Sequence, residues 1–592
     1  MKLLPVAETY VDGEFDSVGN EGFRRLARSI GGDKRTKASI AMTAPVEQAP
    51  ASQKIAMTAP VEQAKSGDRW RVAFVLPVSF TAVAPHQCDT IAAPIPSESR
   101  PMPPTRLAAA LLIASVAAFA GCASVSVNPP IAKADPDTGY RLQTRLDDLP
   151  NQESLVVLAF SGGGTRAAAF SYGALEFLRR TEVTLPDGSK GRLLDAVGVI
   201  TGISGGSFTA LSYGLYGERL FDQYERRFLK RDVQGEIIAR TLTPWNWSDL
   251  LTEGWGRSEL AADLYDEILF EKATYADLAA RRGPLILVSA TDISTGARFG
   301  FNQTTFDIIC SELKPMRLSR AAAASSAVPV VLSSITIRNY GGTCGWRSPA
   351  WTKLFLDSDD PPRPAARAIR SLRNLQAYGD GKERPYLHLV DGGVADNVGM
   401  RGVLDTMEVL EALHAAGQKT RLDNIRRMVV LVVNSMSSPP IAWDRSPSPP
   451  GTVAILLKSA GVPIDQFSFE SIELLRDIGT RWRTMRTIRE SPEFKASRDP
   501  KIAAITRTPD TEVYAIDVSF AQLRDEAERE YLNGLPTSFV LPDEAVDRLR
   551  AAAGKLIMDS PEFQRLLRDV GARVVEPPPS GSSKAVPAPG AK

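Results

Sequence analysis

Residues 155–166, Leu-Val-Val-Leu-Ala-Phe-Ser-Gly-Gly-Gly-Thr-Arg, join an unbroken apolar run to a glycine turn, and an Ala-rich stretch follows at 167–180. An apolar run of strand length, a glycine turn and a segment of helical periodicity predict a strand, a turn and a helix. The same order recurs at 196–200, 202–206 and 207–216. Strands that alternate with helices predict an α/β fold in which helices cover both faces of a mainly parallel sheet.

Further runs of strand length and helical periodicity extend this pattern along the chain. Strands are expected at Leu285–Ala290, Leu387–Val390, Met428–Val433 and Glu512–Val518, and helices over 453–489 and 525–570. We therefore predict a catalytic domain at 153–435 and a helical C-terminal extension at 436–572. Residues 573–592 are expected to form a disordered tail, because a segment rich in Pro, Gly and Ser cannot build a core.

The composition excludes several classes of protein. The 592-residue chain is 43% hydrophobic and 23% charged, which argues against a disordered or fibrous protein. Lys and Arg total 70 against 69 for Asp and Glu, so no global field exists to attract nucleic acid. Four cysteines without CxxC spacing and three histidines make a metal site improbable. We expect neither a metal nor another cofactor.

The pentapeptide Gly202-Ile203-Ser204-Gly205-Gly206 fits the pattern G-x-S-x-G between a predicted strand and a predicted helix. Small residues such as Gly202 and Gly206 allow a sharp turn that lifts the serine hydroxyl to the carboxyl edge of the sheet. Ser204 is therefore the candidate nucleophile. Glycine-rich pentapeptides also occur in structural turns, so the motif alone leaves that alternative open.

A serine nucleophile needs a base, which is usually a histidine held by a carboxylate. Only His388 and His414 follow residue 122, the first inside a predicted strand and the second in a predicted helix. Asp391 instead offers a carboxylate at the end of an apolar strand, where open α/β sheets place their active sites. We predict a Ser204–Asp391 dyad. The alternative is a turn residue, because Asp-Gly is a common hairpin signal.

The glycine turn after the first strand offers an anion site. Gly162, Gly163 and Gly164 expose successive backbone N–H groups at a predicted helix N-terminus, where the helix dipole favours an oxyanion. The same N–H groups could bind a phosphate, but the turn has neither Walker nor G-x-G-x-x-G spacing, so nucleotide binding is disfavoured. Arg166 is expected to stabilise the oxyanion loop or to contact a lipid phosphate.

These motifs, in this order, resemble the patatin-like phospholipases. The resemblance covers about residues 155–434, with supporting matches at Ser289–Asp292, Ala324–Pro329 and Asp391–Asn397. It implies a three-layer α/β/α sandwich and a metal-free hydrolase in which Ser204 attacks a carboxylic ester and Asp391 activates it.

The same resemblance assigns the remaining site residues and the substrate. The oxyanion hole would comprise Gly162, Gly163, Gly164 and Arg166, while Gly392 and Gly393 would support Asp391. The implied substrate is a phospholipid or lysophospholipid. An acyltransferase or thioesterase on the same fold stays open, because pocket shape decides which group accepts the acyl chain.

An internal export signal is predicted at 102–121. One positive charge, a short apolar run and the sequence Phe119-Ala-Gly-Cys122 resemble a bacterial lipoprotein signal. Cys122 would then be lipidated and anchor the protein to the periplasmic face of the outer membrane, with residues 122–152 as a tether. A buried Ala/Leu-rich helix is the alternative. Export to an oxidising compartment would permit a disulfide between Cys310 and Cys344.

Residues upstream of Met102 have a different character. The block Ile-Ala-Met-Thr-Ala-Pro-Val-Glu-Gln occurs at 40–48 and again at 55–63, and residues 4–77 resemble the front part of the SOUL haem-binding family. We expect 1–85 to be a truncated SOUL-like segment and 86–101 a linker, both fused upstream of the working protein. Haem or tetrapyrrole binding is the activity that this resemblance implies, although His86 lies outside the resembling block.

Overall fold

The structure is a computed structural model. It describes residues 6–11, 62–66, 69–75 and 128–575, apart from 150, 152, 244, 246–255, 330, 358–365, 439–442, 446, 448, 498 and 500–505. The predicted linker, the export signal, Cys122 and the tail from residue 576 lie outside the described residues.

The chain divides into two compact units, Met1–Phe119 and Ala120–Lys592. In the first unit, β1 (Val6–Val11), β2 (Glu62–Ser66) and β3 (Arg69–Val75) form an antiparallel sheet in the order β1-β3-β2.

The second unit is built around one mixed sheet with helices on both sides. Its strands are β4 (Ser154–Phe160), β7 (Val197–Gly202), β8 (Leu285–Asp292), β9 (Ala297–Gly300), β10 (Ile335–Arg338), β11 (Tyr386–Val390), β12 (Arg427–Asn434) and β13 (Glu512–Ser519). The order is β10-β11-β8-β7-β4-β12-β13, and β9 pairs with β8. The neighbours from β8 to β13 are parallel, whereas β9, β10 and β11 are antiparallel to their partners. The predicted α/β class with a mainly parallel sheet is confirmed.

The central strands are buried because they are apolar throughout. Every residue of β7 is buried, and so is every residue of β12 after Arg427. Strands covered on both faces need such continuous apolar runs, since no side of the pleat meets water. A second, small sheet joins β5 (Glu182–Thr184), β6 (Lys190–Arg192) and β14 (Arg573–Val574) in the order β14-β5-β6. Residues 573–574, the start of the predicted tail, therefore belong to a strand.

The helices of the second unit vary widely in length. The longer ones are Gly164–Arg180, Gly205–Tyr216, Val233–Leu242, Arg257–Tyr265, Leu318–Ser325, Ala366–Gln376, Arg401–Ala415, Thr452–Glu490, Glu526–Gly534, Asp543–Asp559 and Pro561–Asp569. The shorter ones are Leu142–Arg145, Leu220–Tyr224, Tyr275–Ala279, Gln303–Ile308, Lys353–Leu356, Gly393–Asp396 and Pro492–Ala496. Among the described residues, none of these helices is apolar over enough length to cross a bilayer.

Three helices place the site and are named here. Gly164–Arg180 is the glycine-loop helix, Gly205–Tyr216 the elbow helix and Thr452–Glu490 the long helix. The glycine-loop helix packs against Asp543–Asp559, and the long helix packs against β13. The segment predicted as a helical extension therefore also supplies β13, which pairs with β12 along its whole length.

Residues 128–149 belong to the predicted tether of 122–152, yet they are docked onto distant parts of the second unit. The amide of Asn128 donates to Ser311 Oγ and to the carbonyl of Arg338, both at 2.8 Å. Asn128 and Tyr140 are both buried. A segment rich in Asn, Pro and Asp is typical of linkers, but here its polar groups find backbone partners in distant loops that the local sequence does not reveal.

Candidate active site

Ser204 sits at a sharp turn between β7 and the elbow helix. Gly202 is the last residue of β7, and Gly206 lies in the first turn of the elbow helix. Ser204 itself has φ 47° and ψ −121°, an unusual conformation for a residue with a side chain. Such strain persists only where the surroundings hold it, and it is typical of a nucleophile at a strand-to-helix turn.

Ser325 holds this strained turn in place. The N–H of Ser204 donates to Ser325 Oγ at 2.9 Å, and that hydroxyl donates in turn to the carbonyl of Ser289 at 2.8 Å. All three residues are buried. Sequence reasoning did not assign a role to Ser325, although it noted the segments 289–292 and 324–329 that contain these partners.

Asp391 follows β11, whose direction differs from the expected one. β11 runs antiparallel to β8, with Leu389 opposite Asp292 and Val390 opposite Thr291. The chain direction of β11 is therefore opposite to that of β8. As a result Asp391, the residue after β11, lies near the carboxyl end of β8. The N–H of Asp391 donates to the carbonyl of Ala327 at 2.9 Å.

The two predicted residues meet directly. Ser204 Oγ lies 2.8 Å from Asp391 Oδ2 and donates a hydrogen bond to it. The other carboxylate oxygen, Oδ1, accepts the N–H of Gly393 at 2.7 Å, and the N–H of Gly392 donates to the carbonyl of Ser325 at 2.9 Å. The carboxylate is thus oriented by one backbone donor and one hydroxyl, which leaves Ser204 next to a fixed acceptor.

Burial tunes the acidity of this carboxylate. Ser204 is 4% exposed and Asp391 is 7% exposed. Burial raises the pKa of Asp391 to about 6, and the hydrogen bonds from Gly393 and Ser204 oppose that rise. A carboxylate with a raised pKa is a better proton acceptor than an ordinary aspartate, yet it is still ionised at neutral pH.

The glycine loop lies beside Ser204, but its N–H groups are not equivalent. The N–H of Gly162 donates to the carbonyl of Asn397 at 2.8 Å, and that of Thr165 donates to the carbonyl of Ser538 at 2.8 Å. Gly163 and Gly164, with φ of 138° and 60°, have no acceptor for their N–H groups among the described residues. Donors at a helix N-terminus without a partner suit an oxyanion. The predicted oxyanion role of Gly162 is corrected here, because its N–H is already hydrogen-bonded to the carbonyl of Asn397.

The guanidinium of Arg166, which was expected to stabilise the oxyanion loop or to contact a lipid phosphate, is hydrogen-bonded within the protein. It donates to the carbonyls of Ser435 and Leu535, both at 2.7 Å, and to Thr537 Oγ1 at 3.2 Å. Burial lowers the pKa of Arg166 to about 10, and the nearby Asp465 opposes this shift, so the side chain keeps its charge at neutral pH. Arg166 therefore fastens the glycine-loop helix to the segment 535–537 and does not point its donors at an oxyanion.

Asn397 closes the space between the two motifs. A Cβ built on Gly162 would lie 2.6 Å from Asn397 Oδ1 and 3.3 Å from Ser204 Cβ. A Cβ built on Gly393 would lie 2.9 Å from the same amide oxygen. Glycine at both positions lets the loop, the serine and the Asp391 turn approach one another.

The remaining candidate residues lie elsewhere. His388 is exposed and contacts Thr336, with Nδ1 and Oγ1 3.1 Å apart, and His414 Nε2 lies 3.0 Å from Asp423 Oδ1. Cys310 and Cys344 form a disulfide, with their Cα atoms 5.4 Å apart. In the described part of the chain, no group of three or more His, Cys, Asp or Glu side chains is arranged to hold a metal ion.

Comparison with known families finds two matches. The model of the family described as patatin-like phospholipase matches residues 158–404, and the SOUL heme-binding protein model matches residues 4–98. No curated protein matches the chain significantly in sequence.

Comparison with solved structures finds similarity to human GIVD cytosolic phospholipase A2 at a low TM-score. The complex with methyl gamma-linolenyl fluorophosphonate has 13% sequence identity and a TM-score of 0.32, over 72% of this chain and 59% of that chain. A second structure of the same human enzyme has 14% sequence identity and a TM-score of 0.32, over 72% of this chain and 63% of that chain. The chain thus spans about 60% of the length of these structures. On the family match and the order of its motifs, residues 158–404 form a patatin-like phospholipase domain.

Proposed function

We propose that this chain hydrolyses carboxylic esters of phospholipids or lysophospholipids, with Ser204 as the nucleophile and Asp391 as its base. The observation that carries the proposal is the 2.8 Å hydrogen bond from Ser204 Oγ to Asp391 Oδ2 at a strained strand-to-helix turn. Among the described residues, Asp391 is the only titratable side chain bonded to that hydroxyl.

The geometry supports an acyl-enzyme route. Ser204 Oγ attacks the ester carbonyl carbon while its proton passes to Asp391 Oδ2. The tetrahedral intermediate collapses, the ester C–O bond breaks and the leaving alkoxide takes the proton from Asp391. Water then attacks the acyl-serine, with Asp391 as the base again, and releases the fatty acid.

The oxyanion of both tetrahedral intermediates has two donors within the loop. In the described part of the chain, the N–H groups of Gly163 and Gly164 have no protein acceptor, and they lie at the positive end of the glycine-loop helix. Removing one such donor from a serine hydrolase typically costs about 100- to 1,000-fold in kcat.

The experiment compares the full chain with Ser204→Ala, Asp391→Asn and the control His388→Ala on a phospholipid and on a soluble short-chain ester. We expect both dyad variants to lose activity by several orders of magnitude while they remain folded. His388→Ala should keep the parent rate, because that ring is exposed and bonded to Thr336. Substantial activity of Ser204→Ala, or inactivity of the parent towards both esters, would refute the proposal.

An acyltransferase or a thioesterase would use the same residues. The acceptor of the acyl group distinguishes these activities, so the products formed with water alone and with added alcohols or thiols identify the reaction. Faster turnover by an alcohol acceptor than by water would favour acyl transfer.

We further propose that the protein is exported and anchored to the periplasmic face of the outer membrane through a lipidated Cys122. The sequence Phe119-Ala-Gly-Cys122 supports this, as does the short distance along the chain from Cys122 to the first docked residue, Asn128. Metabolic labelling with palmitate tests the proposal. Label that persists in Cys122→Ser, or its absence from the parent, would contradict it.

The amino-terminal unit supports a second candidate activity, the binding of haem or another tetrapyrrole. The SOUL family match over residues 4–98 favours it. Titration of the full chain with haemin should then produce a Soret shift that saturates at one equivalent, and the parent and Ser204→Ala should bind alike. No saturable shift would remove this candidate.

A further inference from the structure

The long helix changes character along its length. Its carboxyl half is buried, with Leu475, Ile478 and Trp482 almost fully covered, and it packs against β13 and helix Arg401–Ala415. The indole N–H of Trp482 donates to Glu411 Oε2 at 2.8 Å. This half of the helix is part of the core.

The amino half instead presents large apolar side chains to water. Ile455, Val462 and Phe469 are 42%, 40% and 64% exposed. Residues seven positions apart on an α-helix lie on nearly the same face, so the three side chains form one stripe. We call them the apolar stripe. Between 452 and 469 the only charged residues are Lys458 and Asp465, whose Nζ and Oδ2 are 4.0 Å apart.

This half of the helix flanks the site from two sides. Asp465 is close enough to Arg166 for each charge to affect the pKa of the other, which places the helix near the glycine loop. The helix also packs against Gly393–Asp396, the turn that follows Asp391. Val394 in that turn is 38% exposed, so the turn that follows Asp391 also presents an apolar side chain to water.

The chemistry of the stripe fits lipid rather than protein. Protein interfaces surround an apolar centre with a polar rim of hydrogen-bonding and charged groups. The two charges of this half-helix lie near each other, and the other polar side chains that it exposes in its described part, Ser459 and Gln466, are uncharged. Such a face gains by leaving water for the acyl region of a bilayer, because burial of apolar side chains is favourable and few charged groups have to lose their hydration. A buried dyad that acts on lipid must also draw its substrate from such a surface.

We propose that the apolar stripe of the long helix inserts into a lipid surface and holds the mouth of the Ser204–Asp391 site against it. The inference rests on the proposed function, since it assumes a lipid ester as substrate.

The test uses the full chain carrying Cys122→Ser, so that no lipid anchor masks the contribution of the helix. Val462→Ser/Phe469→Ser is compared with this parent for binding to phosphatidylcholine vesicles in high salt, which screens charge attraction. Hydrolysis of vesicle phospholipid and of a soluble short-chain ester is measured on the same proteins. Ile488→Ser is the matched control, because Ile488 is 40% exposed at the other end of the same helix.

We expect the double variant to bind vesicles and to hydrolyse vesicle phospholipid about tenfold less well or worse, with unchanged hydrolysis of the soluble ester. Ile488→Ser should match the parent in all three assays. Equal vesicle binding by the parent and the double variant overturns the inference. Hydrolysis of the soluble ester by the same proteins shows whether the proposed function still holds in that case. A parent dimer that the double variant loses, with vesicle binding unaltered, also overturns it and assigns the stripe to a second copy of the chain.

Discussion

Ser204 Oγ donates a 2.8 Å hydrogen bond to Asp391 Oδ2, although 187 positions separate the two residues in the chain. The contact forms because β7 ends at the carboxyl edge of the parallel sheet, while β11 runs antiparallel to β8 and returns to that edge. Both residues are buried, so each depends on the other for a polar partner.

The raised pKa of Asp391 predicts an acidic limit to activity. As a base the carboxyl must be ionised, and burial raises its pKa to about 6. We expect kcat/KM for a soluble ester to be constant above about pH 7 and to fall about tenfold per pH unit below 6. A pH–rate profile measured with the folded parent tests this. A limb centred near pH 4, the ordinary range of a carboxylate, would contradict it.

The same burial predicts that Asp391→Asn stabilises the protein while it abolishes catalysis. The native pKa of about 6 lies above the ordinary aspartate pKa of 3.8, so the native state holds the proton more tightly than the unfolded chain. The ionised carboxylate therefore lowers the free energy of unfolding, progressively from about pH 4 to 6 and fully above 6. Two pKa units correspond to about 3 kcal/mol.

Asparagine is neutral at every pH; its Oδ1 can accept the N–H of Gly393, and its Nδ2 can donate to Ser204 Oγ in place of the hydrogen bond that Asp391 accepts. Denaturant unfolding at pH 8 should show Asp391→Asn about 1–3 kcal/mol more stable than the parent. The difference should vanish near pH 4. A variant that is less stable than the parent at pH 8, or a gain in stability that does not depend on pH, would contradict this prediction. Either result would show that ionisation of Asp391 does not lower the stability of the parent.

Arg166 is predicted to act as a positioning residue. Arg166→Lys cannot reproduce three donations that diverge to Ser435, Leu535 and Thr537. Hydrogen bonds from a buried charge contribute about 1.5–3 kcal/mol each, so the variant should lose about 2–4 kcal/mol of stability. We also expect a kcat about 10- to 100-fold lower, because the adjacent glycine loop loosens.

Stability and kinetics must change together for this interpretation to hold. Thermal unfolding and steady-state kinetics on a soluble ester are measured on the same preparation. A variant of parental stability with a large loss of kcat would instead favour the assignment implied by the resemblance, in which Arg166 is part of the oxyanion hole.

Ser325 is predicted to matter for catalysis without touching the substrate. Ser325→Ala leaves the N–H of Ser204 and the carbonyl of Ser289 without their hydroxyl partner. A buried donor without an acceptor costs about 1–3 kcal/mol, and the strained turn at Ser204 should relax, with kcat about tenfold lower or worse.

The neighbouring Ser326 provides a matched control. Its hydroxyl donates to the carbonyl of Ala322 within the same helix at 2.8 Å and does not contact the Ser204 turn. Ser326→Ala should therefore change kcat less than Ser325→Ala in the same ester assay. Equal effects of the two variants would mean that the helix 318–325, rather than the Ser325 hydroxyl, sustains the site.

Six of the eight strands of the main sheet could be predicted from the sequence, because that sheet is made largely of continuous apolar runs. β4, β7, β12 and β13 fall within one or two residues of their predicted bounds. Ser204 and Asp391 could be found because their motifs lie at strand ends. The packing of Asn128 against Ser311 could not, because a hydrogen bond across 183 positions leaves no trace in a local pattern.

The sequence by itself determined the α/β class, the turn that carries Ser204 and the choice of Asp391 over a histidine. Those features depend on local composition and on which residue types are present. Tertiary structure alone decided that β11 is antiparallel and that Arg166 donates to the segment 535–537. It also decided that Gly163 and Gly164, rather than Gly162, have N–H groups without an acceptor among the described residues. The hydrogen-bond partners of these groups are decided only when distant segments of the chain come into contact. Each buried N–H needs an acceptor, and the folded structure determines which acceptors lie within reach.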